Sequence, residues 1–64
     1  MTKEYRLSML NEALRQSRQT DSTVVLLLDG DKAIFSFDEY KACELAKMFG
    51  YTVYAKCKHG YLIL

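Results

Sequence analysis

Hydrophobic residues in the first third of the chain recur at helical spacing. The i, i+3, i+4, i+7 pattern runs through Leu7, Leu10, Ala13 and Leu14. Because the surrounding residue types also favour helices, the pattern predicts a helix over residues 3–18 with one apolar stripe. Tyr5 and Met9 lie on the far side of this helix, where they either reach around a small core or meet a partner.

A β-branched and aliphatic run over residues 23–28 is followed by Asp29-Gly30 and a second short apolar run. Asp-Gly between two such runs is a strong signal for a tight turn, so the segment predicts a β-hairpin with Leu26 opposite Ala33. Both faces of this hairpin are largely apolar, whereas an exposed antiparallel sheet has one polar face. We therefore expect something to cover the second face. That face holds Val25, Leu27 and Ile34.

A capping box predicts the start of the second helix. In this motif the side chain of Ser36 caps the first turn, and the side chain of Glu39 reaches back to the backbone N–H of Ser36. The helix is predicted over residues 37–49, and Gly50 ends it in the left-handed conformation. Its apolar stripe consists of Ala42, Leu45, Ala46 and Phe49.

The last segment alternates over residues 51–58, turns at His59-Gly60 and returns over residues 61–64, which predicts a second hairpin. With strict alternation, one face holds Tyr51, Val53, Ala55, Cys57, Leu62 and Leu64. The other face holds Thr52, Tyr54, Lys56, Lys58, Tyr61 and Ile63.

These elements predict a single domain over residues 1–64 of the α+β class, in the order α-β-β-α-β-β. We expect a four-stranded, mainly antiparallel sheet made of the two hairpins, with both helices on one face. The strand order is left open by the sequence.

Composition suits a folded protein, since half of the residues are hydrophobic. The net charge is only +1, which is low for a protein that binds nucleic acid mainly through phosphates. The charge is unevenly placed, because residues 21–40 hold five acidic and one basic side chain, and residues 41–64 hold one acidic and four basic. A basic surface near the C-terminal hairpin is therefore compatible with a nearly neutral chain.

Two cysteines, Cys43 and Cys57, are too few for a disulfide framework, and the polar start does not read as a signal peptide. The longest wholly apolar run, residues 24–28, is far too short to cross a bilayer. We expect a cytoplasmic protein with reduced thiols that does not enter membranes.

Candidate chemistry is sparse. The three glycines are all assigned to turns or a helix end, so no phosphate-binding loop is predicted. Asp29 and Asp31 suit a turn more than a metal site, which needs further ligands. Cys57 and His59 are two residues apart, but the strand pattern turns Cys57 toward the core, where it acts as a small hydrophobe, and Cys43 flanks the apolar stripe in the same role. We expect no catalytic residues, metal, cofactor or small-molecule substrate.

The outer face of the last hairpin is the most informative surface. It interleaves aromatic rings with ammonium groups beside an imidazole, and the candidate partner-binding residues are Tyr54, Lys56, Lys58, His59, Tyr61 and Ile63. Tyrosine is a preferred anchor in protein interfaces, so a protein partner is the first prediction. Rings that stack on bases and lysines that follow phosphates make nucleic-acid binding the alternative. A third possibility is that these are ordinary strand residues with lysines protecting an edge.

The uncovered apolar face of the first hairpin predicts a homodimer, with Val25, Leu27 and Ile34 at the interface. The sequence thus favours a small non-enzymatic interaction module, either protein-binding or regulatory. In size and in its lack of catalytic spacing the chain resembles the compact accessory proteins of phages and mobile elements, a resemblance that no particular residue carries.

Overall fold

The computed structural model describes residues 3–63. Its elements are α1 (Lys3–Thr20), β1 (Thr23–Asp29), β2 (Lys32–Ser36), α2 (Glu39–Phe49), β3 (Thr52–Lys58) and β4 (Tyr61–Ile63). The α+β class and the order α-β-β-α-β-β are therefore confirmed. Leu64, predicted to end the last strand, lies outside the described residues.

The four strands form one antiparallel sheet in the order β2-β1-β3-β4, which places β1 at an interior position. This position explains the continuous apolar run of the first hairpin. Val24, Val25, Leu26 and Leu27 are all completely buried, because β1 is flanked by a strand on each side and covered on both faces. A strand buried on both faces reads as an uninterrupted hydrophobic run.

The two helices lie on opposite faces of the sheet. On one face, α1 packs Ala13 against Val24, Leu26 and Cys57. On the other face, α2 packs Ala42 and Leu45 against β1 and β2. Within residues 3–63 the two helices do not contact each other. The prediction that both helices share one face is wrong, because each apolar face of β1 needs its own cover and each helix supplies one.

The expected dimer interface changes as a result. Val25 and Leu27 are fully buried by α2 of the same chain, and Ile34 packs against the same cluster. The premise that these three residues form an open apolar face is therefore wrong. Pairing of two copies remains a prediction, and it would have to use other residues.

The first hairpin is displaced by one residue at its turn. Asp29 pairs with Lys32, so the two turn residues are Gly30 and Asp31, and Leu26 lies opposite Phe35 instead of Ala33. Gly30 has a φ of 57° while Asp31 does not have a positive φ, which is the requirement of a type II′ turn. The shift moves both strands equally, so every side chain keeps its predicted face.

The second helix begins later than its capping box predicts. Asp38 is the N-cap, and its Oδ1 accepts hydrogen bonds from the backbone N–H groups of Tyr40 (2.9 Å) and Lys41 (3.4 Å). Ser36 ends β2 instead, and its hydroxyl donates to the Asp38 carbonyl oxygen (3.0 Å). The predicted end is confirmed, since Gly50 has a φ of 73° and its N–H donates to the Ala46 carbonyl.

Most of the predicted stripe of the first helix is confirmed, since Leu10, Ala13 and Leu14 lie in the cluster on the α1 face of the sheet, while Leu7 is half exposed. Met9, which the pattern places on the far side, packs against the same cluster, and Ser17 is fully buried. Its hydroxyl donates to the Leu14 carbonyl (2.8 Å), which satisfies the buried oxygen.

Candidate interaction surface

A β-bulge in β3 decides which side chains share a face. Leu26 pairs with Ala55 and Leu27 pairs with Val53, so Tyr54 is the extra residue between two ladder positions. An extra residue reverses the alternation beyond it. Val53 therefore lies on the α2 side of the sheet, whereas Ala55 stays on the α1 side. The predicted face shared by Tyr51, Val53, Ala55 and Cys57 is wrong for this reason, since Tyr51 also packs in the α2-side cluster.

The α2 side of the sheet is only partly covered. Helix α2 contacts β1, β2 and β3, but within the described residues it does not contact β4, while α1 contacts β4 from the opposite side. The uncovered part is named here the open half-face. It consists of Val53, Lys56, Lys58, Tyr61 and Ile63, placed on the same side by the pairs Val25–Lys56, Lys56–Ile63 and Lys58–Tyr61.

Large apolar side chains of the open half-face are in contact with solvent. Tyr61 is 76% exposed, Val53 42% and Ile63 38%. Together with two lysines they form a mixed apolar and basic surface. Aromatic and aliphatic side chains next to positive charge are typical of surfaces that bind macromolecules.

A groove of about 330 Å³ runs between α2 and β3 along the inner border of the open half-face. Its floor is Val25 and Val53, and its α2 wall combines three small residues with the charged residues Glu39 and Lys47. Its full lining is Val25, Glu39, Ala42, Cys43, Ala46, Lys47, Val53 and Lys56. The groove is therefore apolar inside and charged only at its border.

An ion pair lies at the border of the groove. The Lys56 Nζ atom donates to Glu39 Oε1 (2.9 Å), which joins the first turn of α2 to β3. The Glu39 carboxylate raises the pKa of the Lys56 ammonium, first through this hydrogen bond and then through its charge. Lys56 was predicted as a cation for a partner, and the structure places that charge against a carboxylate of its own chain.

His59 is likewise engaged within the chain. It occupies the β3–β4 turn with a φ of 54°, and its Nδ1 atom lies 2.5 Å from Oδ1 of Asp21. Asp21 also has a positive φ, 52°, in the connection between α1 and β1. The imidazole therefore faces an acidic side chain at the end of the sheet. Among the basic groups predicted for this hairpin, Lys58 is the one without a carboxylate of residues 3–63 bound to it.

The second hairpin is fastened to α1 through its glycine. The Gly60 N–H donates to the Ser17 hydroxyl (2.9 Å), and a Cβ placed on Gly60 would lie 2.9 Å from Nε of Arg18. With a φ of 85°, this position favours glycine for the backbone as well. The predicted His59-Gly60 turn is confirmed, and both of its residues have the positive φ that a type I′ turn requires.

The two cysteines lie in different environments. Cys57 is completely buried under α1, as predicted, and burial raises the pKa of its thiol. Cys43 is exposed and forms part of the groove wall. The prediction that Cys43 is a buried hydrophobe is wrong, because it lies on the side of α2 that faces the uncovered strands.

The structure thus brings together four of the six predicted partner-binding residues, Lys56, Lys58, Tyr61 and Ile63. Tyr54 is at the bulge with 39% of its surface exposed, and His59 is held at the turn by Asp21. The groove has no signal in the hydrophobic pattern of the sequence. Its α2 wall reads as an ordinary apolar stripe, and no glycine marks the bulge that turns Val53 toward it.

No helix between residues 3 and 63 is long and apolar enough to cross a membrane. In the same range no three side chains of His, Cys, Asp or Glu are grouped as a metal site would require.

The fold and this surface define a three-layer α+β protein in which α2 covers only part of its face of the sheet. Comparisons with protein-family models, with curated proteins and with solved structures found no match to this chain.

Proposed function

We propose that this chain is a small non-enzymatic interaction module that binds a protein through the open half-face and its groove. The observation that carries the proposal is the half-covered sheet face, where Val53, Tyr61 and Ile63 are exposed beside an apolar groove. A groove with apolar floor and walls and a charged border matches the usual division of protein interfaces into an apolar core and a polar rim.

The charge arrangement supports a protein partner over nucleic acid. Lys56 is paired with Glu39 and His59 with Asp21, so two of the three basic groups of the hairpin already face carboxylates. Binding to phosphates depends on several free cations acting together. Binding of apolar side chains in the groove, in contrast, does not depend on free cations.

Selection from a displayed peptide library tests the proposal with a matched pair of variants. Cys43→Phe places a ring in the groove, while Met48→Phe places the same ring on an exposed position of α2 outside it. Both positions are exposed, so we expect native circular dichroism from both variants. Selected peptides should bind the wild type and Met48→Phe alike and bind Cys43→Phe at least about tenfold more weakly.

Two results would contradict the proposal. One is that no peptide is selected, or that the selected peptides bind all three proteins equally. The other is tight binding of a single-stranded oligonucleotide that weakens steeply with salt and is lost in Lys58→Glu, which would favour the nucleic-acid alternative.

A further inference from the structure

The uncovered part of the sheet has the width of one helix. Adjacent strands lie about 4.8 Å apart, so β3 and β4 together present a strip about 10 Å wide. Helices that pack side by side are separated by about 8–10 Å. Since α2 contacts β1, β2 and β3 but not β4, and Val53, Tyr61 and Ile63 remain exposed on β3 and β4, the exposed strip is about as wide as one helix.

We infer that the partner supplies a single amphipathic helix, with aliphatic side chains on one face and carboxylates along its flanks, which lies beside α2 on β3 and β4. This inference rests on the proposed function and specifies the chemistry of the partner. The helix would insert its aliphatic side chains into the groove at the i, i+3, i+4, i+7 spacing of helix-in-groove recognition.

The groove wall suits a neighbouring helix. Ala42, Cys43 and Ala46 form the side of α2 that borders the groove, and none of them has a side chain longer than two heavy atoms. Small side chains let a second helix backbone approach closely. The floor residue Val53 is 42% exposed and would be covered by the incoming apolar face.

Two lysines beside the groove determine which charges the flanks of the partner helix should have. Lys47 borders the groove on the α2 side, and Lys58 lies on the strand side of the open half-face. No carboxylate between residues 3 and 63 forms an ion pair with either lysine. The one acidic residue of the groove, Glu39, is bound to Lys56. Carboxylates on both flanks of the partner helix therefore complement the groove, and basic flanks would be repelled.

Strand addition at the nearby sheet edge fits the structure less well than a helix on the face. Within residues 3–63, strand β4 has three residues, and it occupies the outer edge of β3 at Lys56–Lys58. The remaining edge of β3 contains the bulge at Tyr54, which interrupts the regular ladder. Short strands and bulges are the features by which proteins prevent pairing at an edge.

Three synthetic peptides test the inference. The first has a leucine face and glutamate flanks, the second has the same face and lysine flanks, and the third is the first with its order scrambled so that the helical spacing is lost. Occupancy is read from the reaction rate of the exposed Cys43 thiol, since Cys57 is buried, and affinity from fluorescence anisotropy. We expect the glutamate peptide to protect Cys43 and to bind at least about tenfold more tightly than the other two.

A pair of charge variants locates the flanks. The double variant Lys47→Glu/Lys58→Glu should reverse the preference and bind the lysine peptide more tightly, by about tenfold. Lys32→Glu/Lys41→Glu changes the net charge equally on exposed residues outside the groove lining and should keep the preference of the wild type. Equal preference in both double variants would overturn the inference.

The remaining outcomes separate the inference from the proposed function. Suppose that the scrambled or the lysine peptide binds as tightly as the glutamate peptide, and that Cys43→Phe still abolishes binding. The inferred amphipathic helix with acidic flanks is then wrong, while the proposal that the groove binds a protein is retained. If none of the peptides protects Cys43, the inference is wrong. The proposed function is then tested separately by the selection from the displayed peptide library. If the chain alone forms a dimer in sedimentation with Cys43 protected, the occupant is a second copy, which overturns the inference but not the function.

Discussion

At the scale of single residues, contacts within the chain determine which charged side chains remain available for binding. Lys56 and His59 have the residue types of a cationic surface, yet each faces a carboxylate that lies far away in sequence. Tyr61 and Lys58 keep their side chains on the open half-face. A residue type alone therefore identifies a candidate, and its neighbours in space determine whether it is available.

The two thiols provide a prediction at this scale. In the native protein a disulfide reagent should modify Cys43 rapidly and Cys57 slowly, because Cys57 is fully buried and burial raises its pKa, which keeps it in the unreactive thiol form. In denaturant both thiols should react, and Cys43→Ser should remove the rapid phase. Two equally rapid thiols in the native protein would contradict this assignment.

At the scale of elements, the start of α2 positions the groove. The Asp38 cap fixes the first turn, and Glu39 in that turn holds Lys56 of β3 at the groove border. The sequence predicts Ser36 as the cap, whereas the structure has Asp38 in that role. A capping box favours Ser36, but β2 extends through Ser36 and pairs it with Val25, so the helix begins at the next available cap.

Replacement of the cap is therefore expected to loosen α2. Asp38→Ala should lower the free energy of unfolding by about 1 kcal/mol, because two backbone N–H groups lose their acceptor. Asp38→Asn keeps an acceptor oxygen and should cost only a few tenths of that amount. Urea unfolding measures the difference between the two variants. Equal stability of Asp38→Ala and the wild type would show that Asp38 is not the cap.

At the scale of the whole molecule, the two helices cover opposite faces of one sheet. Helix α1 extends across all four strands on its face, whereas α2 leaves β4 open on the other. The apolar face of the first hairpin is therefore satisfied inside one copy, and the unsatisfied surface lies at the second hairpin. The exposed apolar side chains therefore lie on the open half-face and not at Val25, Leu27 and Ile34.

Leu27 tests this arrangement. Leu27→Ala should lower the free energy of unfolding by about 2–5 kcal/mol, because a fully buried side chain leaves a cavity under α2. Leu62→Ala, at a half-exposed position of β4, should cost less than about 1 kcal/mol. The loss at Leu27 should be the same in dilute and concentrated protein, since the cover belongs to the same chain. Burial of Leu27 by α2 of the same chain would be contradicted by either of two results. One is a loss of unfolding free energy no larger than that of Leu62→Ala, and the other is a loss that appears only at high protein concentration.

Local patterns were sufficient for the class of fold, the order of its elements and most of their boundaries. The spacing of apolar residues, the turn residues and Gly50 act over a few positions, and their effects are nearly independent of the rest of the chain. The burial of Cys57 followed from strand alternation in the same way. Alternation failed at Tyr54, where a bulge with no sequence mark reversed the faces.

Which helix covers which face, and what remains uncovered, depends on contacts between residues far apart in the chain. Both faces of β1 are apolar, so the sequence allows either a second copy or the second helix as the cover, and packing in three dimensions selects α2. The pairs Lys56–Glu39 and His59–Asp21 are likewise products of the fold. The groove exists because small side chains of α2, ordinary in a helical stripe, come to lie beside a valine that the bulge has turned toward them.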